Sequence, residues 1–418
     1  MSSVLRPESA AQVAELVAWA VAEQAPLEIV GRGSKRGLGR PVQAAHDLDL
    51  SALTGITLYE AEELVLAARV GTPLIEIEET LAQHNQHLAF EPPDLGPLLG
   101  NEADDASIGG MLACNLSGPR RLKSGAARDH FLGVEAVSGR GEAFKSGGRV
   151  VKNVTGYDLC KLLAGSYGTL AVMTDVTVKV LPRPEKARTV LIFGQDDSQA
   201  LTVMTQALNS QHEVTGAAHL PAGLAAGSTV SYVADAGASG QSVTALRLEG
   251  PGPSVTFRCD ALRRDMTAFG AHEELHGRNS ALFWREIRDV DPFLRHPDCP
   301  VWRLSVPPHS APGVVARIAA GIAGGIAGGQ SPLYYFDWGG GLIWLALPQW
   351  AEQADVALRS ALVDCGGHAT LVRAPDEVQP ALLVFQPLDP AKEAITERVK
   401  DSFDPQRILN PGRMYAGL

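Results

Sequence analysis

The chain has 418 residues, 45% apolar and 20% charged, with Lys+Arg 36 against Asp+Glu 47 and a formal net charge of −11. That length predicts two or three domains with proper cores, and the acidic balance argues against nucleic acid as a partner. Any anion must therefore be held by a local nest of donors.

The start, Met1-Ser2-Ser3-Val4-Leu5-Arg6, lacks a basic n-region and apolar run, so no signal peptide is expected. No apolar stretch approaches the ~20 residues of a membrane span. Val314–Gly329 comes nearest, but it carries Arg317 and is mostly Ala and Gly. Five scattered cysteines, Cys114, Cys160, Cys259, Cys299 and Cys365, form no C-x-x-C pair. Neither a disulfide framework nor an iron–sulfur site fits them, which predicts a cytoplasmic chain without its own cluster.

In chain order, Ser9 and Gln12 at capping-box spacing open a helix over 9–24, with Val13, Leu16, Val17, Ala20 and Val21 on one face. Leu27–Val30 reads as a strand entering Gly31-Arg32-Gly33-Ser34-Lys35-Arg36-Gly37-Leu38-Gly39. A second unit repeats the order, with strand Glu63–Val70 and helix 73–86, for which Thr72 is the expected N-cap. Residues 87–128 form a long loop region too apolar to be disordered, so they should wrap something. Strands follow at 132–137 and 142–145, a helix at 157–164 and a strong strand over 168–180. Pro182 and Pro184 mark a domain boundary. Residues 185–395 alternate strands and helices, with small-residue joins at 221–241 and 319–330.

The Gly31–Gly39 run can turn sharply and aim N–H groups into one concavity, with Ser34, Lys35 and Arg36 adding donors. It is neither a Walker loop nor a Rossmann fingerprint, and a plain glycine-rich hairpin is the competing reading. His272-Glu273-Glu274-Leu275-His276 matches H-E-x-x-H, but Gly277 cuts the helix a zinc site needs, so no metal is expected. His84 and His87 suit a helix C-terminus better than ligation. Gly321–Gly329 reads as close packing or a flexible join. Arg303 sits mid-strand in Val301–Val306 and needs a carboxylate, either from the protein or from a ligand. Trp284, Trp302, Trp338, Trp344 and Trp350 crowd the second half, and core or interface packing is the first reading for them.

Phe90–Asp94, Ser107–Gly110, Lys152–Asp158 and Gly165–Leu170, in that order after a Gly-rich loop, resemble the vanillyl-alcohol-oxidase (PCMH) type of FAD-binding domain. Phe403-Asp404-Pro405 and Asn410-Pro411-Gly412-Arg413 are similar to the tail of the D-2-hydroxyacid dehydrogenases of that superfamily. Ser117–Arg121, Trp302–Pro307 and Asp337–Gly340 look closer still to the FAD-binding subunits of bacterial glycolate oxidase. The resemblance implies an α+β fold. A two-subdomain FAD domain over 1–184, divided at about 58/59, precedes an α/β cap with a mixed antiparallel sheet over 185–395. The tail 396–418 returns to the FAD domain. It implies non-covalent FAD held by Gly31, Arg32, Gly33, Ser34, Lys35, Gly37, Pro93, Ser107, Gly109, Gly110, Cys114, Ser117, Gly125 and Val172, because no tethering histidine is matched.

The catalytic relatives carry His-x-Gly-Asp-Gly-Asn-Leu-His and Gly-Glu-His-Gly segments that supply metal ligands and a base. Here the corresponding stretches are Asp337–Trp344 and Gly366–Leu371, which leave His368 as a remote base candidate and Arg303 as the substrate-carboxylate candidate. The resemblance thus implies an FAD subunit of a glycolate oxidase complex, with no assigned catalytic residue of its own. Its partners would be a sister catalytic flavin subunit and an iron–sulfur subunit. The substrate is a small 2-hydroxy acid, and any membrane contact runs through the partners. A self-sufficient 2-hydroxyacid dehydrogenase and an FAD-holding scaffold are the alternatives. The tryptophans and Leu342–Leu347 are expected to be exposed and to make the cap, with Trp338 as an anchor, the docking surface. The FAD domain is expected to bind its cofactor without the sister subunits.

Overall fold

The computed structural model describes residues 3–149, 156–323, 331–347, 354–375 and 382–418. Lys152–Thr155, Gly324–Gly329 and Trp350, singled out above, lie outside the described residues. Two compact units emerge: one comprises residues 1–117, 125–183 and 387–418, the other residues 118–124 and 184–386. Residues 118–124 fall outside the domain expected for them because Arg120 forms a buried pair with Glu249.

The first unit opens with helix Ala10–Glu23, whose Ser9 Oγ accepts from Gln12 N. Val13, Val17 and Ala20 bury its inner face. The parallel strands Ser3–Leu5, His46–Asp49 and Leu27–Val30 make a three-stranded sheet, His46–Asp49 in the middle. A five-stranded antiparallel sheet runs Ile56–Glu60, Val65–Arg69, Ala171–Lys179, Phe131–Ser138, Ala143–Gly147. One apolar core joins both sheets to helices 10–23, Leu74–Gln83 and Ile108–Cys114.

Two local expectations change. Helix Leu74–Gln83 is preceded by Pro73 without a side-chain cap, since Thr72 Oγ1 is engaged with Arg69 O (2.7 Å) and Gly55 N (2.9 Å). The region 87–128 carries helix Ile108–Cys114, capped by Ser107, where only loop was expected. Its two glycines conceal it, glycine being a poor helix former.

The second unit is built on one eight-stranded antiparallel sheet. Its order is His272–His276, Lys186–Phe193, Val243–Gly250, Val214–Leu220, Leu333–Asp337, Leu342–Ala346, Val301–Ser305, His368–Arg373. His272–His276 is therefore a strand, with Leu275 buried. At about 3.4 Å per residue its end histidines stand too far apart to converge on one ion as on a helix turn. Trp284, Trp302, Trp338 and Trp344 are all buried, and every residue of Leu342–Ala346 is buried. The exposed aromatic docking surface expected here is overturned. A strand covered on both faces reads as a continuous apolar run, which sequence alone cannot distinguish from a surface patch. Among the described residues no helix is long and apolar enough to cross a membrane.

Candidate functional site

The first unit contains a cleft of about 760 Å³, its solvent-open mouth included. One wall is the strand end Glu28–Val30 and the turn Gly31–Arg36; the facing wall comes from Ser107, Gly109, Gly110, Ala113 and Cys114. Ala171 and Met173 form the floor, and Asn410 and Arg413 come from the tail.

The turn brings a row of donors to this wall. The N–H groups of Arg32, Gly33, Ser34 and Lys35 have no acceptor among the described residues, whereas Arg36 and Leu38 donate back to Gly33 O (2.9 Å) and Lys35 O (3.0 Å). Consecutive amides left open at a turn are the makings of an anion nest. Gly33 adopts φ +87° there, the left-handed region that glycine reaches without strain. A Cβ on Gly31 would lie 2.6 Å from Ser107 Oγ, so the two walls approach too closely for any larger residue. Across the cleft the amides are already used: Ile108 donates to Thr72 O, Gly109 to Val70 O and Gly110 to Ser107 Oγ. Gly109 serves packing, since its Cβ would meet Val70 at 2.6 Å.

Lys35 is the electrostatic centre of the cleft. It is 9% exposed, and among the described residues its ammonium donates to Ser34 Oγ alone, at 3.1 Å. Burial pulls its pKa below the usual lysine value, against the opposing influence of Cys114, Asp94 and Asp105. An ammonium buried with unused protons favours an anion beside it. Burial pushes the Cys114 thiol up, with Lys35 and Arg413 working against the shift, so it stays protonated. Arg32 is paired with Asp105 at 2.6 Å on the rim.

The tail completes the frame. Asn410 Oδ1 accepts from Ile29 N and its Nδ2 donates to Tyr167 O, both at 2.7 Å. Arg413 donates to Glu28 Oε1 (3.1 Å) and to Arg36 O (2.8 Å). Beneath them the buried Lys400 Nζ donates to Asp404 Oδ2, Thr169 O and Leu409 O. Asn410, Arg413 and Tyr167 stood within the motifs read from the sequence but were given no place at the site. The Asn-Pro-Gly-Arg turn was the available signal, but it sits some 380 residues from the strand that it closes.

Of the residues named from the sequence, Gly31, Arg32, Gly33, Ser34, Lys35, Ser107, Gly109, Gly110 and Cys114 line this cleft. Gly37, Pro93, Ser117, Gly125 and Val172 do not. Val172 is fully buried between Ala171 and Met173, whose side chains take the opposite face of the strand. Ser117 Oγ accepts from Ala127 N at 2.9 Å, and Gly125 takes a left-handed turn at φ +86°.

Arg303 belongs to the second unit. Its guanidinium lies 5.1 Å from the centroid of the Trp338 ring, and that of Arg121 lies 4.3 Å from it. Burial, then the charges of Arg303 and Arg121, holds the His368 imidazole below its ordinary pKa. Two guanidiniums thus lie against one indole, and both act electrostatically on His368.

Residues 1–147 match the model of an FAD binding domain family. The chain is 35% identical over 411 residues to the glycolate oxidase subunit GlcE of Escherichia coli, covering 97% of each protein. It is 36% identical over 147 residues to the glycolate oxidase subunit GlcD of Bacillus subtilis, covering 35% of this chain and 30% of that one. A D-lactate dehydrogenase of Archaeoglobus fulgidus is 32% identical over 181 residues, 43% of this chain and 39% of that protein. Among solved structures, p-cresol methylhydroxylase superposes with a TM-score of 0.75 at 15% identity, over 99% of this chain and 88% of its own. At that identity the likeness speaks for the fold alone.

Proposed function

The chain belongs to the family of the glycolate oxidase subunit GlcE, and from that premise we propose that it is a subunit of a glycolate-oxidising complex that holds FAD non-covalently in the cleft of its first unit. It is an FAD-linked oxidoreductase chain by family. The reading assigns the pyrophosphate to the open amides of Arg32–Lys35 and to the Lys35 ammonium, whose unused protons are the observation that carries it. Ser107 closes the opposite wall, and the tail residues Asn410 and Arg413 fix the strand and turn from behind. FAD bound there supplies a two-electron acceptor. Gly37, Pro93, Ser117, Gly125 and Val172 remain proposed contacts for the parts of FAD beyond the pyrophosphate.

Within such a complex, a sister flavin subunit would oxidise glycolate to glyoxylate and an iron–sulfur subunit would carry electrons onward. Any membrane attachment would come through those partners, this chain remaining cytoplasmic. A second reading, a self-sufficient 2-hydroxyacid dehydrogenase, draws support from the Arg121–Arg303–His368 cluster. Two guanidiniums suit a substrate carboxylate, and an imidazole held neutral at pH 7 can accept a proton.

Purified chain, alone and with co-expressed neighbours, tests both readings. The first expects flavin on the isolated chain, all of it released into the supernatant on acid precipitation, and no bleaching by glycolate without the sister subunit. Gly33→Val should strip the flavin while leaving a folded protein. Bleaching of the isolated chain by glycolate or D-lactate would favour the second reading. A flavin-free wild type, or a Gly33→Val variant with full flavin, would remove the cleft assignment.

A further inference from the structure

Glu28 is an unexpected residue in a cleft built to take an anion. It stands in strand Leu27–Val30, lines the cleft and is only 8% exposed. A buried carboxylate beside a phosphate repels it, and the carboxylate needs partners of its own. Two guanidiniums supply them. Glu28 Oε1 accepts from Arg36 Nε and Arg413 Nη1, both at 3.1 Å, and Oε2 accepts from Arg36 Nη2. Arg36 Nη2 also donates to Asp47 Oδ2 at 2.9 Å, on the neighbouring strand. Two acids thus face two arginines, and their charges balance.

What this network holds is the shape of the turn. Glu28 precedes the open amides of Arg32–Lys35 and Arg36 follows them, so the ion pair closes the base of the loop that carries them. Arg36 is fixed at three points. Its amide donates to Gly33 O at 2.9 Å, its carbonyl accepts from Arg413 Nη2 at 2.8 Å, and its guanidinium rests on Glu28. Arg413 O in turn accepts from Arg40 N at 2.8 Å, which ties the far end of the loop to the same tail residue. A glycine-rich loop left loose would point its amides in many directions, and ordering it on binding would subtract from affinity. Here side chains build the order in.

We propose that Glu28 is a positioning residue for the cofactor: its carboxylate holds Arg36 and Arg413 so that the amides of Arg32–Lys35 are set for the pyrophosphate before it arrives. This rests on the FAD reading above, and every residue involved belongs to the first unit. The sign of the effect separates this role from simple charge. If Glu28 acted on FAD only through its charge, removing that charge would relieve repulsion and tighten binding. As the holder of the turn, its loss must weaken binding. A glutamine offers one acceptor oxygen where two guanidiniums need a carboxylate, and it turns an NH2 group toward them.

The test is Glu28→Gln in the full chain, set against Gln86→Ala. Gln86 is equally buried in the same unit, accepts from Tyr59 Oη (2.9 Å), donates to Ala61 O (2.7 Å) and does not line the cleft. FAD affinity and its association and dissociation rates are read by flavin fluorescence, and stability by thermal unfolding of the flavin-free chain. Glu28→Gln should weaken FAD about tenfold through slower association, since only the fraction of molecules with an ordered turn can bind. Gln86→Ala should lower the unfolding temperature and leave affinity within about twofold of wild type. Unchanged or tighter FAD in Glu28→Gln, a loss carried wholly by faster dissociation, or an equal loss in Gln86→Ala would overturn the proposal. A flavin-free wild type would instead sink the FAD reading beneath it.

Discussion

In the first unit, the Lys35 ammonium and the amides of Arg32–Lys35 line a cleft with donors to spare. In the second, several buried polar groups pair with one another. Trp284 Nε1 donates to Thr189 Oγ1, Thr189 bonds Ser280, and Tyr335 donates to Ile287 O. Arg188 and Arg120 each close on a buried glutamate. Arg188 Nε, Arg263 Nε, His272 Nδ1 and Trp302 Nε1 of the second unit are each buried without a hydrogen-bond partner among the described residues, whereas the first unit's open donors converge on one concave wall, the arrangement a ligand needs. The difference also explains the second half of the sequence. Its apolar run Leu342–Ala346 is a strand buried on both faces.

The largest effect expected on this contrast comes from the tail. Replacing Lys400 by Met would leave Asp404, which has no solvent exposure, with a buried charge and would strand the carbonyls of Thr169 and Leu409. Breaking one side of such a pair costs about 3–5 kcal/mol. Differential scanning calorimetry should show the transition of the first unit falling and that of the second holding. Parallel falls in both transitions would mean the units do not unfold separately.

A smaller loss is expected from Gly31→Ala. Its Cβ would sit 2.6 Å from Ser107 Oγ, so the hydroxyl or the turn must shift. Overpacking of this kind costs about 1–3 kcal/mol, which predicts FAD affinity lower by roughly tenfold by fluorescence titration. Gly31→Ala with Ser107→Ala should recover part of it. No recovery would place the loss in the ligand's approach rather than in the two walls.

Much of this site was legible because its signals are local. Ser9 with Gln12, strand Leu27–Val30 and the glycines at 31 and 33 declare a cap, a strand and a sharp turn within a few residues. Ser107–Gly110 entered through resemblance, and its helix escaped notice because two glycines mask the period. What stayed hidden depends on distant partners or on parity. Asn410 and Arg413 act on a strand at the opposite end of the sequence. Whether Val172 or its neighbours face the cleft turns on a one-residue phase that an all-apolar run does not show. Trp338 looked like a surface anchor because nothing near it in sequence reveals Gly118 as its partner.

The smallest effect probes the second unit's self-sufficiency through its acidic corner. Asp291 has its pKa raised to about 6, first by burial and then by the charges of Asp289 and Glu286, with Arg285 and Arg288 only partly offsetting them. An acid whose folded pKa lies above its unfolded value favours the folded state while protonated. Its contribution is complete below about pH 4 and is lost as pH rises through about 6. At neutral pH the wild type therefore carries an ionised, partly buried carboxylate close to two others. Asp291→Asn keeps the size, removes the charge and should stabilise the second unit at pH 7.5. The gain should be on the order of 1 kcal/mol once solvent screening is allowed for, and it should vanish near pH 4. Denaturant titrations at the two pH values read this directly. A gain equal at both would show that the asparagine acts through packing, and that the three carboxylates are already balanced by their arginines.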